Sequence, residues 1–417
     1  MNTALINALK RQAKEVEQIL KFGVVGREKV EAKLRSYLPM AQVKVILGPR
    51  RAGKSTLALK SLRGERFAFV SLEDEVVLGA IAENDELMEA LELVEPQAEY
   101  YVLDEIQNLP NWEIFVNRQQ RRGKNMIITG SNSKLLSKEL ASSLTGRHII
   151  VELFPFNFEE YCVARSIDAT AVRVDALDSW MELGGFPEVV LQRTDPAAYL
   201  RTLFDAVILR DVVNRHRIRN TVAIRSLANL LINSVSSRFS ARSLERALHQ
   251  VGFATIQKYL GYLHEAYLFF ELQAFSYKTR QRISSTRKIY TVDNGFVSAC
   301  SDQTRSQRGA LLENAVFVEL LRRGHVCNLS LFYVQTSQKN EVDFFLPNSN
   351  PGPELIQVCT SLDNPLTVER ELRALRQAAR EFGAKRLTII TLRDEASYEV
   401  DGTPANVVPL ISWLREV

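Results

Sequence analysis

The segment from Gly48 to Thr56, Gly-Pro-Arg-Arg-Ala-Gly-Lys-Ser-Thr, constrains the fold more than any other part of the chain. It fits the pattern G-x-x-x-x-G-K-[ST], follows an apolar run at 43–47 and precedes a helical pattern at 57–62. In that context the glycines let the backbone curl, so that its N–H groups and the helix N-terminus face phosphate groups. The motif therefore predicts a nucleotide-phosphate cradle between a β-strand and a helix.

The residues of this P-loop have different expected roles. We expect Lys54 to reach the β- and γ-phosphates of ATP and the Ser55 hydroxyl to complete a Mg²⁺ shell. The predicted nucleotide-binding set is Gly48, Pro49, Arg50, Arg51, Ala52, Gly53, Lys54, Ser55 and Thr56.

A second motif, Tyr100-Tyr-Val-Leu-Asp104-Glu105, places two acids after an apolar stretch. Asp104 is expected to hold Mg²⁺ through water, and Glu105 to polarise the water that attacks ATP. Acid pairs after strands are also common as helix caps. Their position roughly 50 residues after a P-loop favours catalysis, so we predict ATP hydrolysis.

Three further side chains are candidate sensors or arginine fingers. Asn132, with Ser131 and Thr129 as alternatives, follows the apolar run Met126-Ile-Ile and can sense the γ-phosphate or the water. Arg147 is a candidate arginine finger or sensor and Arg210 is a second candidate, since an arginine can stabilise transition-state charge on the γ-phosphate. The alternative for the polar residues is an ordinary strand-to-helix turn. The alternative for the two arginines is a surface position or an ordinary ion pair.

The pattern around the P-loop predicts an α/β fold. Buried-strand candidates at 67–72, 100–103, 125–129 and 148–153 are separated by helical stretches, which indicates a parallel sheet. A mainly helical region and a hairpin follow, and a mixed strand and helix pattern begins near 309. We predict an ATPase domain with N-terminal helices at 1–165, a helical domain at 166–300 and an α/β domain at 301–417.

Composition excludes several other classes of protein. Among the 417 residues no apolar run approaches the roughly 18–20 needed to span a bilayer. The four cysteines are widely spaced and lack a metal-binding pattern, and the first residues do not resemble a signal peptide. These features predict a cytoplasmic protein with reduced thiols and no membrane association.

Charge is unevenly distributed along the chain. The net charge is only +4, yet residues 201–300 hold 15 Lys and Arg against 6 Asp and Glu, a local excess of +9. Such an excess is typical of a polyanion contact, although a solvated surface can carry one too.

A set of ordered motifs then resembles one family. They are Gly48-Pro-Arg-Arg-Ala-Gly-Lys-Ser, Leu103-Asp-Glu-Ile-Gln-Asn, Thr129-Gly-Ser, Leu144-Thr-Gly-Arg, Phe154-Pro-Phe-Asn-Phe-Glu-Glu-Tyr, Gly184-Gly-Phe-Pro, Leu209-Arg-Asp, Leu311-Leu-Glu-Asn and Glu341-Val-Asp-Phe. The chain resembles archaeal and bacterial AAA-type ATPases that carry a C-terminal domain of unknown function with a restriction-endonuclease-like core. The resemblance implies AAA-like, winged-helix and nuclease-like modules, and homo-oligomers that include hexameric motors on branched DNA.

The middle segment independently favours a winged helix. A short helix from Ser240 and a second from Thr255 precede a basic hairpin, an arrangement that suits DNA grooves and phosphates. The predicted DNA contacts are Lys258, Lys278, Arg280, Arg282, Arg287 and Lys288. Packing between subunits is the alternative use of such a domain.

The third segment departs from a working nuclease. Glu313 and Asp343 are present, but Gln357 and Cys359 stand where an acid and a lysine would bind Mg²⁺ and activate water. Cysteine cannot replace an ammonium group, so we predict a degenerate nuclease-like domain.

These features together predict a Mg²⁺-dependent, AAA-type ATPase that binds or remodels duplex or branched DNA as a homo-oligomer. One alternative is a nucleotide-gated switch that recruits a protein partner without motor activity. A second alternative is an ATP-regulated nuclease.

Overall fold

The computed structural model describes residues 2–21, 25–133, 146–167, 174–191, 194–249, 251–278, 286–302 and 307–415. The chain divides into two compact units. The first is Met1–Ile167 with Glu265–Tyr267, and the second is Asp168–His264 with Leu268–Val417.

The first unit is built on a five-stranded sheet in which every pair of neighbouring strands is parallel. The strands are β1 (Val43–Leu47), β2 (Phe67–Ser71), β3 (Tyr100–Asp104), β4 (Asn125–Gly130) and β5 (His148–Glu152), in the order β2-β3-β4-β1-β5. Parallel sheets are covered on both faces, so their strands are continuously apolar. The prediction of a parallel α/β sheet is confirmed.

Helices cover this sheet and connect its strands. They are Thr3–Lys21, Glu28–Tyr37, Lys54–Ser61, Glu75–Ala80, Asn84–Val94, Trp112–Arg121 and Phe158–Ala164, with a 3₁₀ turn at Ile106–Asn108. One buried core joins β1, β3 and β4 to the helix after the P-loop through Ile46, Leu57, Val102 and Ile127. The sheet and this helix are therefore one packed body.

The strand order places the functional motifs side by side. Strand β4 lies between β1, which precedes the P-loop, and β3, which ends at Asp104. Because the strands are parallel, their carboxyl ends meet at one edge of the sheet, where α/β proteins bind ligands.

The second unit combines helices with two sheets. Its helical segments are Val174–Leu183, Pro187–Val190, Pro196–Ala206, a π-helix at Val207–Asn214, Thr221–Ile232, Ala241–Leu248, Phe253–Glu265, Asn294–Cys300, Arg308–Arg322, Pro365–Phe382 and Leu410–Arg415. A three-stranded antiparallel sheet contains β6 (Arg238–Phe239), β7 (Phe269–Gln273) and β8 (Arg287–Thr291), in the order β6-β8-β7.

The larger sheet of this unit is mixed. Its strands are β9 (Phe332–Gln335), β10 (Glu341–Leu346), β11 (Glu354–Val358), β12 (Arg386–Thr391), β13 (Ala396–Val400) and β14 (Thr403–Pro409), in the order β13-β14-β12-β11-β10-β9. The pairs β11–β12 and β12–β14 are parallel, and the other pairs are antiparallel. Leu375 and Ala378 of the helix Pro365–Phe382 lie in a core with Leu355 and Leu387.

The mixed strand and helix pattern predicted from about 309 is present in the structure, but β13, β14 and the final helix were not predicted. Most side chains of β13 are exposed, and β14 contains Pro404. An edge strand with exposed polar residues lacks the apolar pattern that identifies a buried strand. Within the described ranges no helix is both long and apolar enough to cross a membrane.

Gly48 lies where the backbone of the P-loop passes another strand end. A Cβ built on Gly48 would lie 1.9 Å from the backbone carbonyl oxygen of Leu153. We expect Gly48→Ala to lower the free energy of unfolding by about 1–3 kcal/mol, because backbone must move to relieve the overlap.

Urea denaturation followed by circular dichroism measures this loss. Gly79→Ala is the matched control, since a Cβ at Gly79 meets nothing within 4 Å. Gly79 lies in the helix Glu75–Ala80, so alanine there should stabilise by roughly 0.5–1 kcal/mol. Equal effects of the two substitutions would contradict the close approach at Gly48.

Candidate functional site

The P-loop turns sharply from β1 into the helix Lys54–Ser61. Gly53, the residue before this helix, has a φ of +94°. That left-handed conformation suits glycine, since a Cβ is disfavoured there. The loop thus delivers Lys54 and Ser55 as the first two residues of the helix.

Lys54 is a buried cation, with 4% of its surface exposed. Its Nζ lies 3.2 Å from Oε1 of Glu105 and donates to the carbonyl oxygen of Pro49 at 3.1 Å. A buried ammonium group needs such partners because losing water is costly. The P-loop lysine and the second acid of the β3 motif therefore form an ion pair.

The first acid of the β3 motif joins three elements. Oδ1 of Asp104 accepts hydrogen bonds from the hydroxyls of Ser55 at 2.6 Å and Thr129 at 2.7 Å. Burial and the charge of Glu105 raise the pKa of Asp104, and the two hydroxyls oppose that rise. The P-loop helix, β3 and β4 thus meet at one carboxylate.

Glu105 is held in a restricted geometry. It has a φ of +53°, and its backbone N–H donates to the Thr129 hydroxyl at 3.0 Å. Burial acts to raise the pKa of Glu105, but the Lys54 ammonium and the hydrogen bond from the Gln107 amide outweigh it and lower the pKa to about 2. A non-glycine residue in this conformation is unusual and concentrates at functional sites.

Gln107 connects the carboxylate of Glu105 to Ser131, the residue that follows β4. Nε2 of Gln107 donates to Glu105 and lies 3.4 Å from the hydroxyl oxygen of Ser131. Asn132 is buried next to Ser131, as a polar sensor would be, and its role remains a prediction. Sequence reasoning missed Gln107, although its place two residues after Glu105 is a usable signal.

The other residues of the P-loop differ in burial and in their contacts. Arg50 is anchored by Glu73, with 2.5 Å between Nη1 and Oε1, whereas Arg51 is exposed at a φ of +66°. Ala52 is fully buried, and Thr56 lies in the first turn of the helix.

Arg147 is not brought to the P-loop of its own chain. It directly precedes β5, its carbonyl accepts from the N–H of Val43 at 2.9 Å, and its Nη1 donates to Asn117 at 3.2 Å. Val43 begins β1, so Arg147 lies at the amino edge, about 16 Å of strand away from the loop. As a sensor within one chain this prediction is wrong; a role at a neighbouring subunit stays a prediction.

Arg210 lies in the second unit, on the π-helix Val207–Asn214, and is exposed. The neighbouring Asp211 is buried and forms an ion pair with Arg215 at 3.7 Å. A finger role for Arg210 remains a prediction.

The predicted DNA contacts separate into different environments. Lys258 and Lys278 are exposed, whereas Arg287 is half-buried in an ion pair with Glu271. Arg280 and Arg282 lie outside the described residues.

Lys288 requires a correction. Only 2% of its surface is exposed, and its Nζ lies 2.8 Å from carboxylate oxygens of Glu313, Glu341 and Asp343. An ammonium group surrounded by three carboxylates inside the protein cannot reach a DNA phosphate. The sequence pattern of a basic hairpin did not reveal that β8 turns this lysine inward.

Lys288 also lies among the residues of the predicted nuclease-like pattern. Asp343 and Gln357 lie next to the paired residues Phe344 and Ile356 of β10 and β11, and the N–H of Val358 donates to Asp343 at 2.9 Å. An ammonium group does lie beside Asp343, that of Lys288, from a strand about 70 residues before Cys359 in the chain. In the described parts of the chain, no three His, Cys, Asp or Glu side chains form a group suited to a metal.

Comparisons with known proteins agree with the geometry of the first unit. The family described as AAA domain matches residues 40–162, and a family described as a domain of unknown function, DUF8612, matches residues 174–307. The AAA match spans the P-loop, the acid pair and all five strands of the parallel sheet.

Relatives extend over nearly the whole chain. An uncharacterized protein of Methanocaldococcus jannaschii, MJ1544, is 36% identical over 398 residues, which cover 89% of this chain and 88% of the relative. An uncharacterized protein of Haemophilus influenzae is 26% identical and covers 94% and 99%. Among solved structures, the Walker-type ATPase of Pyrococcus abyssi is 16% identical with a TM-score of 0.46, covering 66% of this chain and 96% of its own.

The contacts of Lys288 predict that replacing it destabilises the protein far more than replacing the exposed Lys258. Lys288→Met leaves three carboxylates without their shared cation, so we expect a loss of about 3–5 kcal/mol in the free energy of unfolding. Urea denaturation is the measurement.

The matched control is Lys258→Met, at an exposed position of the helix Phe253–Glu265. Its expected change is within about 0.5 kcal/mol. A Lys288→Met protein as stable as the control would show that the buried carboxylates do not need this cation.

Proposed function

The chain belongs to the same family as the Methanocaldococcus jannaschii protein, and from that premise we propose an ATPase whose Mg²⁺-dependent turnover is coupled to binding or remodelling DNA. Its AAA domain makes it a P-loop ATPase. The proposal concerns the roles of single residues, the metal ion and the DNA. The contact between Lys54 and Glu105 carries the catalytic part.

The ion pair between these two residues links nucleotide binding to activation of the base. The phosphates of ATP compete with Glu105 for the single ammonium group of Lys54. A carboxylate with a pKa of about 2 is a weak base, and losing its cation raises that pKa. ATP therefore prepares Glu105 to accept a proton from the attacking water.

The residues next to this pair suit a magnesium ion. Mg²⁺ prefers oxygen ligands, and the Ser55 hydroxyl and the Asp104 carboxylate lie 2.6 Å apart at the phosphate end of the loop. Ser55 would bind the ion directly and Asp104 through water. When bound, Mg²⁺ would neutralise charge on the β- and γ-phosphate oxygens.

The DNA part of the proposal rests on exposed basic residues of the second unit. Arg242 and Arg246 on the helix Ala241–Leu248 and Lys258 on the helix Phe253–Glu265 are all exposed. The burial of Lys288 and the ion pair of Arg287 move the expected contact from β8 to these helices. Their order before an antiparallel hairpin supports a winged-helix use, with duplex or branched DNA as the polyanion.

A homo-oligomer completes the proposal. Arg147 is exposed and far from the P-loop of its own chain, so it fits a finger supplied to a neighbouring copy. Arg210 is the second candidate. A hexameric ring is one such assembly, in line with the resemblance to families that include hexameric motors.

The catalytic roles predict different outcomes for two substitutions. Glu105→Gln should bind ATP but lower kcat by at least about 100-fold, since the general base is lost. Lys54→Ala should abolish measurable nucleotide binding, because it removes the phosphate-binding cation.

Binding of a fluorescent ATP analogue and phosphate release provide the measurements. Glu99→Gln is the control: Glu99 directly precedes β3 at its opposite end and pairs with Arg66 on the surface. If Glu105→Gln hydrolysed ATP at the normal rate, its assignment as base would be wrong.

The DNA proposal predicts stimulated ATP turnover. We expect duplex or branched DNA to raise the ATPase rate. The double substitution Arg246→Glu and Lys258→Glu should weaken DNA binding and make the DNA affinity less dependent on salt. Each lost phosphate contact should lower the slope of log K against log salt by about 1.

Fluorescence anisotropy at several salt concentrations measures this slope. Arg373→Glu, an exposed position on the helix Pro365–Phe382, is the control of equal charge change per site. No stimulation by duplex, single-stranded or branched DNA would refute the coupling and favour a switch that recruits a protein.

A further inference from the structure

Arg27 contacts the P-loop from outside the predicted nucleotide-binding residues. It directly precedes the helix Glu28–Tyr37 and is 7% exposed. Its Nη1 donates to the carbonyl oxygen of Ala52 at 3.3 Å. Ala52 is followed by Gly53, so a buried cation holds the peptide group that lies just before the helix Lys54–Ser61.

Arg27 is itself fixed by Glu160. Nε and Nη2 donate to the two carboxylate oxygens of Glu160 at 2.8 and 2.7 Å. Such a two-pronged pair uses the planar fork of the guanidinium and sets its orientation. The group also lies over the ring of Phe156, 5.3 Å from its centre.

Glu160 is in turn held by the turn that starts its helix. Oε2 of Glu160 accepts from the N–H of Asn157 at 3.0 Å, and the N–H of Glu160 donates to the Asn157 side chain at 2.8 Å. This reciprocal capping box orients the carboxylate before it meets Arg27. The segments before residue 28, around the P-loop and after β5 thus converge on one guanidinium group.

The planar peptide group gives this contact a consequence for phosphate binding. In a trans peptide the carbonyl and the following N–H point in opposite directions. Because the Ala52 carbonyl points to Arg27, the N–H of Gly53 points away from Arg27, and P-loop amides of this kind bind phosphates.

We propose that Arg27 and Glu160 are positioning residues for the phosphate cradle, acting through the Ala52–Gly53 peptide. The inference rests on nucleotide binding at the P-loop and is independent of DNA. Without Arg27, the peptide can rotate and the Gly53 N–H is no longer preorganised. The loss falls on phosphate affinity, while Lys54 and Glu105 keep their own contacts.

An adjacent ion pair provides a matched control. Lys29 and Glu159 join the same two segments at 3.4 Å, but each side chain is 65% exposed. Exposed pairs of this kind contribute little to stability. The variants are therefore Arg27→Ala, Arg27→Lys and Glu160→Gln, compared with Lys29→Ala and Glu159→Gln.

The measurements are the Kd for fluorescent ADP, competition by inorganic pyrophosphate, KM and kcat for ATP, and urea denaturation. We expect Arg27→Ala to raise the Kd for ADP and for pyrophosphate about tenfold, the size of one charge-assisted hydrogen bond. KM should rise in parallel, with kcat within about twofold. Arg27→Lys and Glu160→Gln should show smaller rises, about threefold, because one of the paired bonds survives.

The outcomes separate positioning from other roles. Lower unfolding stability with unchanged Kd in all three variants would overturn the proposal and make the pair purely structural. A higher Kd for ADP but not for pyrophosphate would also overturn it, since the phosphate cradle would be intact. If Arg27→Ala does not fold, Arg27→Lys and Glu160→Gln decide by the same criteria. Wild-type protein that binds no ADP would instead refute the proposed nucleotide site.

Discussion

The ion pair between Lys54 and Glu105 is the interaction on which the nucleotide site depends. Both groups are buried, so each stabilises a charge that would otherwise be costly away from water. The pair forms only because β4 lies between β1 and β3 and aligns their carboxyl ends. The sheet order and the loop conformation thus bring the two charges together, and their contact lowers the pKa of Glu105.

The second unit contains a comparable arrangement with a different result. Lys288 neutralises carboxylates from one helix and one strand, Glu313, Glu341 and Asp343, and takes no part in the basic surface. Counting charges along a sequence treats every lysine as exposed, and this one is not. The local excess between 201 and 300 therefore overstates the charge available to a polyanion.

Much of the first unit could be predicted because its signals are local. An apolar run, a glycine-rich turn and an acid pair each identify one strand end, and the parallel strands bring those ends together. Arg27, Glu160, Gln107 and Lys288 acquire their roles from contacts between segments distant in sequence or from a turn geometry. Strand β13 escaped prediction because an exposed edge strand carries little apolar periodicity, and β14 because Pro404 and Pro409 disfavour a strand inside a sheet.

Thr129 adds a constraint on how the sheet is assembled. Its hydroxyl donates to Asp104 and accepts from the N–H of Glu105, in the register that pairs Thr129 with Ile46. A slip of β4 by one residue would turn the hydroxyl to the opposite face. Slipped sheets of apolar strands would bury similar surface, but Asp104 would lose one of its two hydroxyl donors and the N–H of Glu105 would lose the Thr129 hydroxyl. The polar groups of the ATPase site thus favour the correct strand pairing over slipped ones. Residues placed for ATP hydrolysis therefore also specify the register of the sheet.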